Sequence, residues 1–355
     1  MPWRTSPPLW SDMRRTLTIL LLVAASGLSF AQAPQAGDGV LSLETAMALA
    51  VDAAATVRSA RMDLDAAERD RTRVLADPTS LRIARLQAEH AVKRAATGLE
   101  GAKASAEDTA ARAYTDALEA DDRLRLAEVA LGIAGIVREA TAIQLDAGAA
   151  TRLDVERSDN DLRAAERDVE DARAARALAY DRLASLLGLP SQSLRLDRPS
   201  PPGAVPPLEL ALADGEANAQ LQAVVQQAEL AEAQFAAIDN PLTSASADVA
   251  AARDRLETAR LQVDEQRRSL VLIVRQAHNA ALAAEARLRS AEAAAATARD
   301  DLGVQRLRFD TGGISALALA RAELQTLQQE AQLATAQHAL GAALRQLRLT
   351  AMGAR

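Results

Sequence analysis

The chain has no cysteine, and aromatic residues make up only 2% of its 355 positions. Without cysteine there is no lipid-attachment site and no disulfide framework to staple a small exported domain. Scarce aromatic and β-branched residues leave little of what strands are built from. Histidine occurs three times, at His90, His278 and His338. None has a second ligand three or four positions away, which argues against a metal site. A Gly-rich phosphate loop and a nucleophile elbow are also missing, so nothing points to an enzyme or to a bound cofactor. The net charge is −7 with no basic stripe, which argues against nucleic acid as a partner.

What is present is helix-forming composition. About a quarter of the residues are alanine and 25% are charged. The prolines fall within 2–34, at Pro78, within 190–207 and at Pro241, so 79–189 and 242–355 are free to run as long helices. At the N-terminus, Arg14-Arg15, an apolar run from Leu17 to Phe30 and the small-residue site ending at Ala31 read as a secretory signal over 1–31. The run is short for a spanning helix, although an uncleaved anchor is the alternative. Residues 1–12 read as an upstream extension, with Met13 as the start.

The chain repeats itself at a constant offset. Asp77-Pro78-Thr79-Ser80 recurs as Asn240-Pro241-Leu242-Thr243-Ser244, and Leu145-Asp146-Ala147-Gly148-Ala149 recurs as Phe309-Asp310-Thr311-Gly312-Gly313, each 164 residues on when measured from Ser80 and Gly148. Two tandem copies of one all-α unit follow: a helix, a turn, a helix of about 67 residues, a hairpin tip and a return helix. The expected helices are 43–76, 80–146 and 150–187, then 208–239, 244–311 and 314–350. This divides the chain into a first repeat over 41–190, a Pro-rich linker over 191–207 and a second repeat over 208–351. Each middle helix is about 100 Å long. The two shorter helices of a copy together match that length, so they are expected end to end alongside it.

Coiled-coil spacing supports this packing. Positions 106, 110, 113, 117, 120, 124, 127, 131 and 134 are all Ala or Leu. The matching stripe in the second long helix runs Val249, Ala252, Leu256, Ala259, Val263, Gln266, Leu270, Ile273, Ala277, Ala280, Ala284, Arg287, Ala291, Ala294, Ala298. Further apolar positions off that stripe, at Ala281, Leu288, Ala295 and Leu302, give a second face and suggest neighbours on two sides, as in a sheet of helices or a closed helical barrel. A solid four-helix monomer is the competing arrangement.

Four strings stand in register: Leu41-Ser-Leu-Glu-Thr-Ala-Met-Ala-Leu-Ala50, Leu145-Asp-Ala-Gly-Ala-Ala-Thr-Arg-Leu-Asp-Val155, Ala184-Ser-Leu-Leu-Gly-Leu-Pro190 and Arg308-Phe-Asp-Thr-Gly-Gly-Ile314. As a set they resemble the TolC family of outer-membrane efflux and secretion ducts. The resemblance covers nearly all of 41–350 and implies a homotrimer whose long helices wrap into a hollow periplasmic barrel. It implies that the hairpin tips, with Gly148, Ala149, Thr151, Arg152, Gly312, Gly313 and Ile314, dock a periplasmic adaptor protein of an inner-membrane pump. It also implies an acidic pore constriction at Asp154; in the second hairpin Ile314, Ala318 and Arg321 stand where the family has its other constriction residues. In any helical protein Asp154 would suit the first turn of a helix and Gly148 and Gly312 would suit left-handed caps.

One departure stands out. Family members insert two membrane strands between the first and second helix of each copy, whereas here those places hold only Asp77 to Ser80 and Asn240 to Ser244. A membrane strand needs about 9–11 residues. Asp77-Pro78 and Asn240-Pro241 read instead as tight turns, with Ser80 and Thr243 or Ser244 as helix caps. The chain is therefore expected to be exported and peripherally associated with the outer membrane, with a separate outer-membrane component as a further partner. Two functions remain open: a passive duct component of an efflux or secretion assembly, and a non-transporting coiled-coil spacer of the cell envelope.

Overall fold

Eight α-helices follow one another in the computed structural model, which describes residues 40–239 and 245–353: α1 Leu43–Ala53, α2 Ala55–Ala76, α3 Arg82–Asp146, α4 Arg152–Leu187, α5 Leu208–Gly215, α6 Ala219–Ile238, α7 Ser246–Asp310 and α8 Ala316–Met352. The expected signal segment and upstream extension, and the Asn240-Pro241 turn, lie outside the described residues. The internal repeat is visible in the backbone. Helices α6, α7 and α8 begin 164 residues after α2, α3 and α4, and α3 and α7 are each 65 residues long. Among the described residues the only β-pairing is a single parallel bridge between Leu41 and Leu196.

The first helix of each copy is broken, where one continuous helix was expected. Ala54 is extended, with ψ 124°, and separates α1 from α2. Turn residues before Asn218 separate α5 from α6. The second break has a local cause. Asn218 caps α6 by accepting from the Gln220 and Leu221 amides, while its Nδ2 donates to the Thr350 and Ala351 carbonyls at the end of α8. The first break is tertiary. Ala46 and Ala50 of α1 are drawn onto a cluster formed by Tyr114, Leu118, Tyr180, Leu183 and Leu187, whereas α2 runs along α3 alone.

Helices pack in a row. α2 and α4 both lie on α3, α6 and α8 lie between α3 and α7, and α7 closes the far side of α6 and α8. The shorter helices thus lie end to end beside the long ones, as expected. Among the described residues α7 makes no packed interface with α2 or α4, so the row stays open and the solid four-helix bundle is not formed. The seams are narrow because alanine lines them: Ala110, Ala111, Ala117 and Ala120 of α3 are buried, as are Ala252, Ala259, Ala281, Ala284, Ala295 and Ala298 of α7.

The α3 stripe lies where it was expected, with every position buried or half-buried. The α7 stripe needs correction beyond Leu270. Ala277, Ala284, Ala291 and Ala298 are covered as expected, but Ile273, Ala280, Arg287 and Ala294 face outward and Val274, Ala281, Leu288 and Ala295 are covered in their place. Helix α7 has a covered face and an uncovered one because no helix of the same chain lies on its outer side.

Candidate functional site

The largest buried cluster sits halfway along α3, where the entering chain and the linker meet. Leu41 donates to Arg195 O at 2.6 Å and accepts from Asp197 N at 3.0 Å. The Tyr114 hydroxyl, fully buried, lies 2.7 Å from Leu41 O and 2.6 Å from Asp197 O, so one proton serves two carbonyls. Burial pushes its pKa up to about 12. His278 stands 164 residues on and bonds Pro206 O at 2.9 Å through Nε2. Both copies therefore fasten the linker to the middle of their long helix by a side chain at the same register, with different chemistry. In the sequence His278 was weighed only as a metal ligand and Tyr114 was passed over, although the repeat offset pairs them.

At the tips both expected turn glycines are left-handed, with φ 74° at Gly148 and 73° at Gly312. The amide after each reaches back five residues: Ala149 N to Gln144 O at 2.7 Å, and Gly313 N to Arg308 O at 2.7 Å. Thr151 then caps α4. Its Oγ1 accepts from Asp154 N at 3.2 Å, and Asp154 Oδ2 accepts from Thr151 N at 2.9 Å and from Thr151 Oγ1 at 2.6 Å. These bonds hold the Asp154 carboxyl below the usual carboxylate range, with Arg157 adding a weaker pull at 3.8 Å. In the second copy Ser315 caps α8 by accepting from Ala318 N, and Ala318 returns no carboxylate. Ala149, Arg152 and Gly313 are exposed and Ile314 is half-buried, with Ile143, Leu153, Leu307 and Phe309 exposed beside them.

At the other end, the Asp77-Pro78 turn is closed by its own aspartate. Asp77 Oδ1 accepts from Thr79 N at 2.9 Å and from Thr79 Oγ1 at 2.7 Å, which holds its pKa low. The expected cap at Ser80 is not made. Leu81 occupies the N-cap position of α3 without a side-chain bond, and Ser80 N instead donates to Asp77 O at 3.1 Å. The corresponding cap at Thr243 or Ser244 lies outside the described residues, and Ala245 is the N-cap of α7, again without a side-chain bond.

The seam joining the two copies is polar. His90, buried on α3, meets Glu229 of α6 at 2.8 Å, and His338 of α8 meets Glu119 of α3 at 3.3 Å and lowers the Glu119 pKa. Between them Arg345 of α8 reaches buried Asp108 at 3.0 Å, and Arg112 bonds the other Asp108 oxygen at 2.7 Å. Among the described residues no group of three or more His, Cys, Asp or Glu is arranged to hold a metal.

No family model and no curated protein sequence matches the chain. Solved structures do. The outer membrane channel CmeC of Campylobacter jejuni aligns at a TM-score of 0.61 and 10% identity, covering 88% of this chain and 86% of that one. The outer membrane protein VceC of Vibrio cholerae aligns at 0.57 and 16% identity over 88% and 96%, and the open state of the MtrE channel of Neisseria gonorrhoeae at 0.54 and 16% over 88% and 89%. The chain has the TolC-type helical fold. Within that fold, the described residues joining α2 to α3 form a turn and no strand.

Proposed function

We propose that the chain belongs to the TolC family and serves as a periplasmic duct component of an efflux or secretion assembly. Three chains close edge to edge into a hollow helical barrel. The observation that carries this reading is the open row of helices. α7 leaves Leu261, Leu272 and Leu282 exposed on one edge, and α2 and α4 leave Met62, Leu178 and Leu186 exposed on the other. Apolar edges with no partner inside the chain are what a ring of copies covers. The chain repeats of 41–190 and 208–351, joined by the 191–207 linker, give such a ring six similar hairpins.

In this reading the tips at Gly148 to Arg152 and Gly312 to Ile314 face a periplasmic adaptor, and their exposed apolar side chains supply the contact. Three Asp154 carboxylates set a cation-favouring ring at the constriction while each also caps its own helix. The duct is peripheral to the outer membrane, and a separate outer-membrane component completes the path. It carries out no catalysis and holds no cofactor.

A second reading, a non-transporting envelope spacer, draws on the tight 77–81 turn in place of membrane strands. Light scattering with negative-stain imaging of the detergent-free exported chain separates the two. Hollow trimers about 100 Å long support the duct, and Ile273→Asp on the uncovered edge should dissociate them. A solid monomer or dimer refutes it and leaves the spacer.

A further inference from the structure

We propose that the 197–206 stretch of the linker is a rigid strut that sets the angle between the two copies. Among the described residues the helices of the first copy pack on those of the second through α3 alone, which meets α6 and α8 placed end to end along one line. Two rods in contact along a single line can roll about it, so a fixed angle needs a further attachment off that line. The linker supplies one. At its first end the Tyr114 hydroxyl of α3 donates to Asp197 O at 2.6 Å, and Arg198 pairs with Asp122 of α3. At its second end His278 of α7 bonds Pro206 O at 2.9 Å, and Val205 packs on the cluster of Ala284, Leu288 and Leu340. The linker thus crosses α8 and ties α3 to α7, which share no packed interface among the described residues.

Its sequence and backbone make it stiff. Pro199, Pro201, Pro202 and Pro206 each hold φ near the polyproline value. Residues 198–206 make no backbone hydrogen bond with one another. Pro199, Pro202 and Val205, at every third position, are half-buried, while Ser200, Pro201, Gly203 and Ala204 are exposed. That is the three-residue period of polyproline II with one edge on the helices. At about 3.1 Å per residue, Asp197 to Pro206 spans about 28 Å. The axes of α3 and α7, two helix spacings apart, are separated by about 16–20 Å, so a segment that must also pass over α8 has little slack. In a duct this angle fixes the curvature of the ring, but the strut itself holds for duct and spacer alike.

The test is a distance measurement in the full exported chain. Its lack of cysteine leaves room for two spin labels, at Ala177→Cys on α4 and Ala286→Cys on α7, both exposed. Labelled chain is diluted into unlabelled chain so that double electron–electron resonance reads distances within one chain. A narrow distribution is expected. Two glycines inserted between Gly203 and Ala204 should about double its width. Pro201→Gly with Pro202→Gly keeps the length, removes the stiffness and should broaden it less. Far-ultraviolet circular dichroism confirms that each variant is folded. A broad distribution in the parent, or a width unchanged in either folded variant, would overturn the proposal and leave the angle to the α3 seam. Failure of the parent to form hollow trimers, by contrast, sinks the duct and leaves these distances as the test of the strut.

Discussion

Replacing Tyr114 by Phe removes one oxygen from the most buried position of the linker anchor. The ring stays, so no cavity opens and the perturbation is confined to hydrogen bonding. Leu41 O keeps its bond from Asp197 N at 3.0 Å, but Asp197 O, which is only partly buried, has no other donor among the described residues. Losing that bond costs about 1 kcal/mol. The loss falls on the local opening that frees the Leu41 and Asp197 amides, because both amides belong to the same small bridge. Native-state hydrogen exchange of those two amides should therefore accelerate about fivefold. With the phenol pKa at about 12, Tyr114 is neutral across the working range, so the ratio between variant and parent should not change between pH 6 and about pH 9. Exchange unchanged within about twofold would refute the view that Tyr114 fastens the entering chain to the linker.

Acid should loosen one hairpin and not the other. The Asp154 carboxyl is held low by Thr151, so its contribution is fully present above the unfolded value near ~3.9 and is lost as pH falls through the lower folded value. Exchange at the Asp154 and Val155 amides should rise below about pH 4 while the amides of the first turn of α8 do not respond, and Thr151→Ala should produce a similar rise at neutral pH. A parallel response of both hairpins would contradict the assignment. In the seam between copies, Asp108→Ala leaves the Arg345 guanidinium without its carboxylate and should destabilise the chain by about 3 kcal/mol in chemical denaturation. Adding Arg345→Met should restore part of that loss, and a further loss in the double variant would show that the pair is not the source.

The long helices and their ends were legible because the signals are local. Glycine at a left-handed position and proline confined to the turns each act within one turn of chain, whereas the cap expected at Ser80 is not made and the caps at Thr151 and Ser315 were not read. The 164-residue offset then checked every boundary against a second copy. What remained hidden depends on contacts distant in sequence. The break at Ala54 follows from the pull of Tyr114 and Leu183 on α1, and nothing within 50–58 announces it. Every second position of the α7 seam beyond Leu270 was misread because alanine stands at adjacent positions, at Ala280 and Ala294 as well as at Ala281 and Ala295. Composition cannot separate two alanine faces; only the neighbour that covers one of them does. Asp154 was legible as a first-turn acid, and its reciprocal bonds with Thr151 became visible only with the backbone in place.

The unlike caps at Thr151 and Ser315 give a ring of these hairpins two kinds of tooth. The backbone of the two copies is alike, so three chains would arrange six teeth at nearly equal intervals. Only every second tooth carries an acid whose protonation frays it. Acid below about pH 4 would then convert a sixfold rim into a threefold one, alternate teeth softening while their neighbours hold. Any partner seated on that rim would feel three grips loosen together and three remain.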